Sequence, residues 1–97
     1  MMHQFHDEAL EEYVDAIRFY ARANRAVGEC FVRAIEQAIA DIVETPLRWR
    51  AVRGGLRRRV IRGFPYIVFY RVHEGFVYLL AVAHCSRRPG YWRSRLE

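Results

Sequence analysis

Two apolar runs, Pro65 to Val72 (PYIVFYRV) and Phe76 to Ala83 (FVYLLAVA), are separated only by His73-Glu74-Gly75. Both are rich in Val, Ile, Tyr and Phe, side chains that suit a pleated surface, and the three residues between them are a turn signal. The pair predicts a β-hairpin. Alternation puts Tyr66, Val68, Tyr70 and Val72 on one face of the first strand, with Ile67, Phe69 and Arg71 on the other. In the second strand Phe76, Tyr78, Leu80 and Val82 oppose Val77, Leu79, Ala81 and Ala83. Both faces of both strands are therefore largely apolar. A sheet backed by one helical layer needs only one apolar face. The second face must be covered by the tail, Pro89 to Glu97, or by a partner protein.

Upstream, Leu10, Tyr13, Val14, Ile17, Tyr20 and Ala21 recur at helical spacing, predicting a helix over about Asp7 to Asn24 with Asp7 as its N-cap. Phe19 falls off that stripe and is a candidate second contact. Asn24 to Gly28 reads as a turn. Phe31, Ala34, Ile35, Ala38, Ile39, Ile42 and Val43 define a second helix, from Val27 or Gly28 to Glu44, ended by Thr45-Pro46. Two stripes and a short link predict an antiparallel helical hairpin. Residues 2–5 (MHQF) are a weakly marked first strand. Leu47 to Gly55 is a connection or a short extended piece, in which Trp49 packs at the core edge. Leu56 to Arg62 is a further strand, with Arg57 and Arg59 on one face and Arg58 and Arg62 on the other. The order β-α-α-β-β-β implies an α+β fold, an N-terminal helical hairpin packed on a small antiparallel sheet.

The chain has 97 residues, 53% hydrophobic and 28% charged, which is the composition of one globular domain spanning residues 1–97. No apolar run approaches the roughly 20 residues that span a bilayer. The start, MMHQFHDEAL, is too polar and acidic for a secretory signal. A cytoplasmic location is expected, with Cys30 and Cys85 as reduced thiols. His3, His6 and His73 show no metal spacing, and neither a metal nor a cofactor is expected. Charge is strongly segregated. Residues 1–46 carry four Arg against nine acids (−5), and residues 47–97 carry twelve Arg against two acids (+10), which together give the net +5. A half with that excess of guanidinium attracts nucleic acid or an acidic protein segment; the alternative is a solvated, solubilising face.

Arg62-Gly63-Phe64-Pro65-Tyr66 with Phe69-Tyr70-Arg71-Val72, and Ala83-His84 with Arg87-Arg88-Pro89-Gly90-Tyr91-Trp92, resemble the RelE/ParE superfamily of bacterial type II toxins. The likeness covers nearly the whole chain. It implies a small basic toxin that forms a hetero-oligomer with a cognate antitoxin encoded beside it. RelE-like members cut mRNA in the ribosome by attack of a ribose 2′-OH on the adjacent phosphate. That chemistry needs an acid, a base and cations. If this chain is RelE-like, the resemblance assigns Arg57, Arg59, His84, Arg87 and Tyr91 to catalysis, and only then is it an enzyme. Arg58, Arg62, Arg71, Arg88 and Trp92 are the candidate antitoxin- or target-binding residues. Ile67, however, stands where RelE-like ribonucleases often carry arginine, and Cys85 stands near another such position. ParE-like members share the fold, lack the catalytic set and inhibit DNA gyrase by binding. The residues favour that branch over ribosome and mRNA as target. A third reading is a non-toxic basic nucleic-acid-binding domain. For His84 a structural hydrogen-bonding role stands beside the chemical one, and for Tyr91 and Trp92 a packing role does.

Overall fold

The computed structural model describes residues 2–96. Strand β1 (Met2–Phe5) leads into helices α1 (Asp7–Ala23) and α2 (Arg25–Glu44), then strands β2 (Leu56–Val60), β3 (Tyr66–His73) and β4 (Phe76–His84). The α+β order and the helical hairpin agree with the sequence reading. The sheet order is β1-β4-β3-β2. β2, β3 and β4 pair antiparallel, while β1 lies parallel to β4, from Met2↔Phe76 to Phe5↔Leu79. The sheet is thus mixed, with one parallel edge strand added to the expected antiparallel set. A parallel neighbour needs a long crossover, and the helical hairpin that follows β1 supplies one.

The helix boundaries differ from the expected ones by a few residues, for local reasons. The N-cap of α1 is His6 and not Asp7: His6 is extended, and its Nδ1 accepts from the backbone N–H of Glu8 at 3.1 Å. Asp7 and Glu8 then occupy the first turn, where the helix dipole favours negative charge. Only Asn24 links the helices. Its N–H bonds the Tyr20 carbonyl and its Oδ1 accepts from Ala26 N, so one residue closes α1 and opens α2. Residues 25–28, expected as a turn, are the first turn of α2. So short a link demands close approach, and Gly28 permits it. A Cβ there would stand 2.9 Å from Ala21 Cβ and 3.0 Å from Ala21 Cα. Along the same seam Tyr20 meets Phe31 and Tyr13 donates to Glu36, the pairing of an antiparallel hairpin.

Ala9, Tyr13 and Ala16 are the buried face of α1, with Ile17 and Tyr20 packed beside them. Leu10, expected in the stripe, is 46% exposed, and Phe19 is 67% exposed. Small Ala9 and Ala16 let the helix settle closely on the sheet. Phe31, Ile35, Ala38, Ile39 and Ile42 of α2 pack on Val68, Tyr70, Val77, Leu79 and Val82 of the hairpin. The Tyr70 hydroxyl donates to the Pro46 carbonyl at 2.6 Å. Burial pushes its pKa up to about 12, against the opposing pull of Arg57 and Arg59.

The hairpin carries a β-bulge. Phe69 pairs with Ala81 but Tyr70 pairs with Leu79, leaving Leu80 as the extra residue. An extra residue reverses the side-chain alternation beyond it. Val82 therefore joins the helical core, whereas Leu80, Ala81 and Ala83 share the opposite face with Leu56 and Trp92. Strict alternation had placed Val82 with Leu80, and the bulge overturns that placement.

Helix propensity alone would favour Gly28→Ala by about 1 kcal/mol. The contact with Ala21 reverses the sign, and the variant should lose roughly 1–3 kcal/mol in urea unfolding. Above pH 10 unfolded tyrosines ionise while Tyr70 stays protonated up to about 12, so stability should be intact below pH 10 and fall across pH 10–12. Tyr70→Phe should lose about 1 kcal/mol at pH 7 with its hydrogen bond. It should also remove up to roughly 2–3 kcal/mol of the alkaline fall, which urea midpoints measured from pH 7 to 12 would reveal.

Candidate functional site

The tail reverses at Gly90, whose φ of 78° suits glycine and whose missing Cβ leaves room for the Arg93 side chain. The chain then crosses the sheet face away from the helices. Trp92 stacks on Phe69 with ring centroids 4.6 Å apart, and it buries a second, smaller core with Leu56, Leu80, Ala81 and Ala83. The apolar second face is covered in part by the chain's own tail.

Glu12 of α1 holds that tail in place. Its carboxylate accepts from Arg95 Nη1 at 2.8 Å and Nη2 at 3.1 Å, from the Tyr91 hydroxyl, and from Val82 N at 3.0 Å. Arg95 also donates to the Leu80 carbonyl at 3.0 Å and to Glu8 at 2.9 Å. The Arg95 side chain is only 7% exposed and that of Glu12 15%, against 59% for Glu8. Burial opposes the charge on Arg95, but the Glu12 carboxylate outweighs it and leaves the guanidinium pKa raised. For Tyr91, burial and the Glu12 carboxylate both push the phenol pKa well above its usual value.

Beside the tail a cleft of about 420 Å³ stays open. Leu56, Ile67, Phe69 and Ala83 form its floor, Trp92 and Leu96 one wall, and Arg53, Arg58, Arg87, Arg88 and Arg93 its rim. His84 and Cys85 lie at its mouth, and no acidic side chain among the described residues lines it. Nδ1 of His84 accepts from Ser86 N at 3.0 Å, which leaves a proton on Nε2 in the neutral ring. Arg87 lies over the Tyr91 ring at 3.9 Å.

Five of the ten residues picked from sequence therefore share the cleft with Trp92: Arg58, His84, Arg87, Arg88 and Tyr91. The other four are elsewhere. Arg57 points to the helix side and donates to the carbonyls of Leu47 and Trp49. Arg59 is on that side too, paired with Asp41 at 3.3 Å and stacked on Trp49 at 4.2 Å. The resemblance assigned both to catalysis if the chain is RelE-like; both instead fasten the connection between α2 and β2. Arg62 lies beyond the end of β2 in an exposed turn. Arg71 shares the tail face but lies with Gln4, Tyr78 and Leu80 in a separate hollow. Sequence reading missed Arg53, Arg93 and Phe69 in the cleft, and Glu12 as the anchor of its wall. The basic run offered a signal for the arginines; nothing in sequence links Glu12 to residues 70 to 83 positions away.

The family described as ParE toxin of type II toxin-antitoxin system, parDE, matches residues 4–89. A solved chain of a chromosomal ParDE toxin-antitoxin system from P. aeruginosa is similar in fold, with a TM-score of 0.57 and 21% identity, covering 87% of this chain and 95% of that chain. No curated protein matches in sequence.

Breaking the Glu12–Arg95 pair strands a buried guanidinium. Glu12→Ala should lose roughly 3–5 kcal/mol, whereas Glu8→Ala, whose carboxylate is exposed, should lose at most about 1 kcal/mol. Thermal unfolding of the two variants side by side tests the ranking.

Proposed function

The chain belongs to the family of ParE toxins of type II toxin-antitoxin systems, and from that premise we propose that it arrests growth in the cytoplasm by binding DNA gyrase, and that a cognate antitoxin neutralises it. The observation that carries the choice of binding over RNA cleavage is the engagement of the would-be catalytic groups. Arg57 and Arg59 are spent on the α2–β2 connection. The Tyr91 hydroxyl is held by Glu12, and its raised pKa makes it a poor base near neutral pH. Of the five residues the ribonuclease reading needs, only His84 and Arg87 remain available at the cleft. One titratable imidazole and an apolar floor at Ile67 make a weak centre for phosphoryl transfer.

Purified toxin should inhibit gyrase supercoiling or trap its cleaved complex, and induced cells should arrest with intact mRNA. The protein encoded in the neighbouring frame should relieve both effects. Ribosome-linked cut sites in mapped RNA, with gyrase activity untouched, would instead establish the nuclease reading.

A further inference from the structure

Helix α1 leaves two large apolar side chains in solvent, Leu10 at 46% and Phe19 at 67% exposed. They lie on opposite flanks. Leu10 is in line with Ala21, a whole number of turns later, and Ala21 meets α2 at Gly28. Phe19 is on the flank toward Tyr66 and Val82. Between the flanks runs the outward face of the helix, where Leu10, Glu11, Val14, Asp15 and Arg18 line a shallow hollow. The charges around this face are ordered. Asp7 and Glu11 precede Val14, and Arg18 and Arg22 follow it, at spacings of three or four residues. All four are exposed, and among the described residues none of them is in an ion pair. The helix dipole accounts for Asp7 and Arg22, which are in the first and last turns. It does not account for Glu11 and Arg18, because its influence fades within one turn of each end.

Such an order complements itself when the helix is reversed. A two-fold axis normal to the outward face, midway between Val14 and Asp15, sets Glu11 of one copy against Arg18 of the other, and Asp7 against Arg22. It also exchanges the flanks, so that Leu10 of each copy meets Phe19 of the other. An isologous contact requires a patch that matches itself in this way. A partner of a single charge sign would be attracted by one half of the stripe and repelled by the other. We propose that two copies of this chain associate antiparallel along α1 about that axis. The cleft beside the tail is on the far side of the sheet from the helices, so the pair presents two clefts facing outward. This pairing is independent of which target the toxin attacks. Helix α1 has 17 residues and a length of about 25 Å. One helix against one helix buries less than a standard interface, and exposed ion pairs add little each. The dimer is therefore weak and reversible, forming as concentration rises and dissolving as salt screens the charges.

The test is sedimentation equilibrium of the purified chain from micromolar to millimolar concentration, at low and at high salt. The proteins compared are wild type, Glu11→Arg, Arg18→Glu and the double variant that carries both. Glu11 and Arg18 are exposed, so the reversals leave folding intact, which near-UV circular dichroism verifies. Wild type should pass from monomer to dimer as concentration rises, and less so at high salt. Each single reversal puts like charges together at both symmetry-related contacts and should weaken association at least about 10-fold. The double variant restores opposite charges across the axis and should associate within about 3-fold of wild type, although it runs against the helix dipole. Wild type that stays monomeric throughout overturns the proposal. So does a dimer that neither reversal weakens, which would place the contact on another face, and so does a double variant as weak as the single ones. A monomeric wild type whose binding to the protein of the neighbouring frame is lost in Glu11→Arg overturns it too, and gives this face to that protein.

Discussion

Helix, sheet and tail are joined at one carboxylate. β1 pairs with β4 only as far as Leu79. Beyond it the edge of β4 is bare, and the bulge at Leu80 sits at that point. The Val82 N–H and the Leu80 carbonyl on this edge find Glu12 and Arg95 in place of a strand. A carboxylate has about four acceptor sites, and Glu12 fills them with one backbone amide, one phenol and two arms of a guanidinium. Its charge is neutralised where it is buried, which is the condition under which a buried pair holds a structure together. The tail has few apolar residues of its own. It keeps Trp92 on Phe69 because Tyr91 and Arg95 on either side are held to α1. The wall of the cleft therefore depends on a contact made on the other side of the tail.

The arginines divide into two populations. Arg57, Arg59 and Arg95 have carbonyl or carboxylate partners and act as fasteners. Arg59 also shields the Trp49 ring, which packs against the main core. Arg53, Arg58, Arg87, Arg88 and Arg93 gather around an opening that no acid among the described residues lines. The alternation of β2 makes this division: Arg57 and Arg59 face the helices, and Arg58 between them faces the cleft. A run that reads in sequence as one basic patch is in space a structural pair and a cleft-facing cation on opposite sides of a sheet.

What the sequence made legible was whatever depends on local pattern. The two runs around His73-Glu74-Gly75 gave the hairpin, the apolar spacing of 31–43 gave α2 and its end before Pro46, and the strings RGFPY and RRPGYW carried the family likeness. Features set by single atoms or distant partners were hidden. Period-two alternation cannot show that Leu80 is an extra residue, so Val82 was assigned to the wrong face. Asn24 reads as part of a loop because nothing local says that one side chain and one amide serve two helices. The direction of β1 depends on where the helical hairpin delivers the chain. Glu12 looks like any acid near a helix N-terminus until Tyr91 and Arg95 arrive from the far end of the sequence.

The resemblance implies one fold for toxins that cut and toxins that bind, and on that reading the freedom of the side chains around the cleft separates the two. Cleavage requires a base that loses its proton near neutral pH and cations free to follow charge as it develops on a phosphate. Here the phenol is committed to a carboxylate, and Arg57 and Arg59 to backbone carbonyls and Asp41. Ile67, at a position where the resemblance would have a nuclease carry arginine, turns the floor of the cleft apolar. An apolar floor contributes little to phosphate chemistry, but it is what a protein partner needs if it is to exclude water beneath a ring of charges. The same position that withholds a cation the resemblance would give a nuclease therefore also gives the cleft its apolar floor.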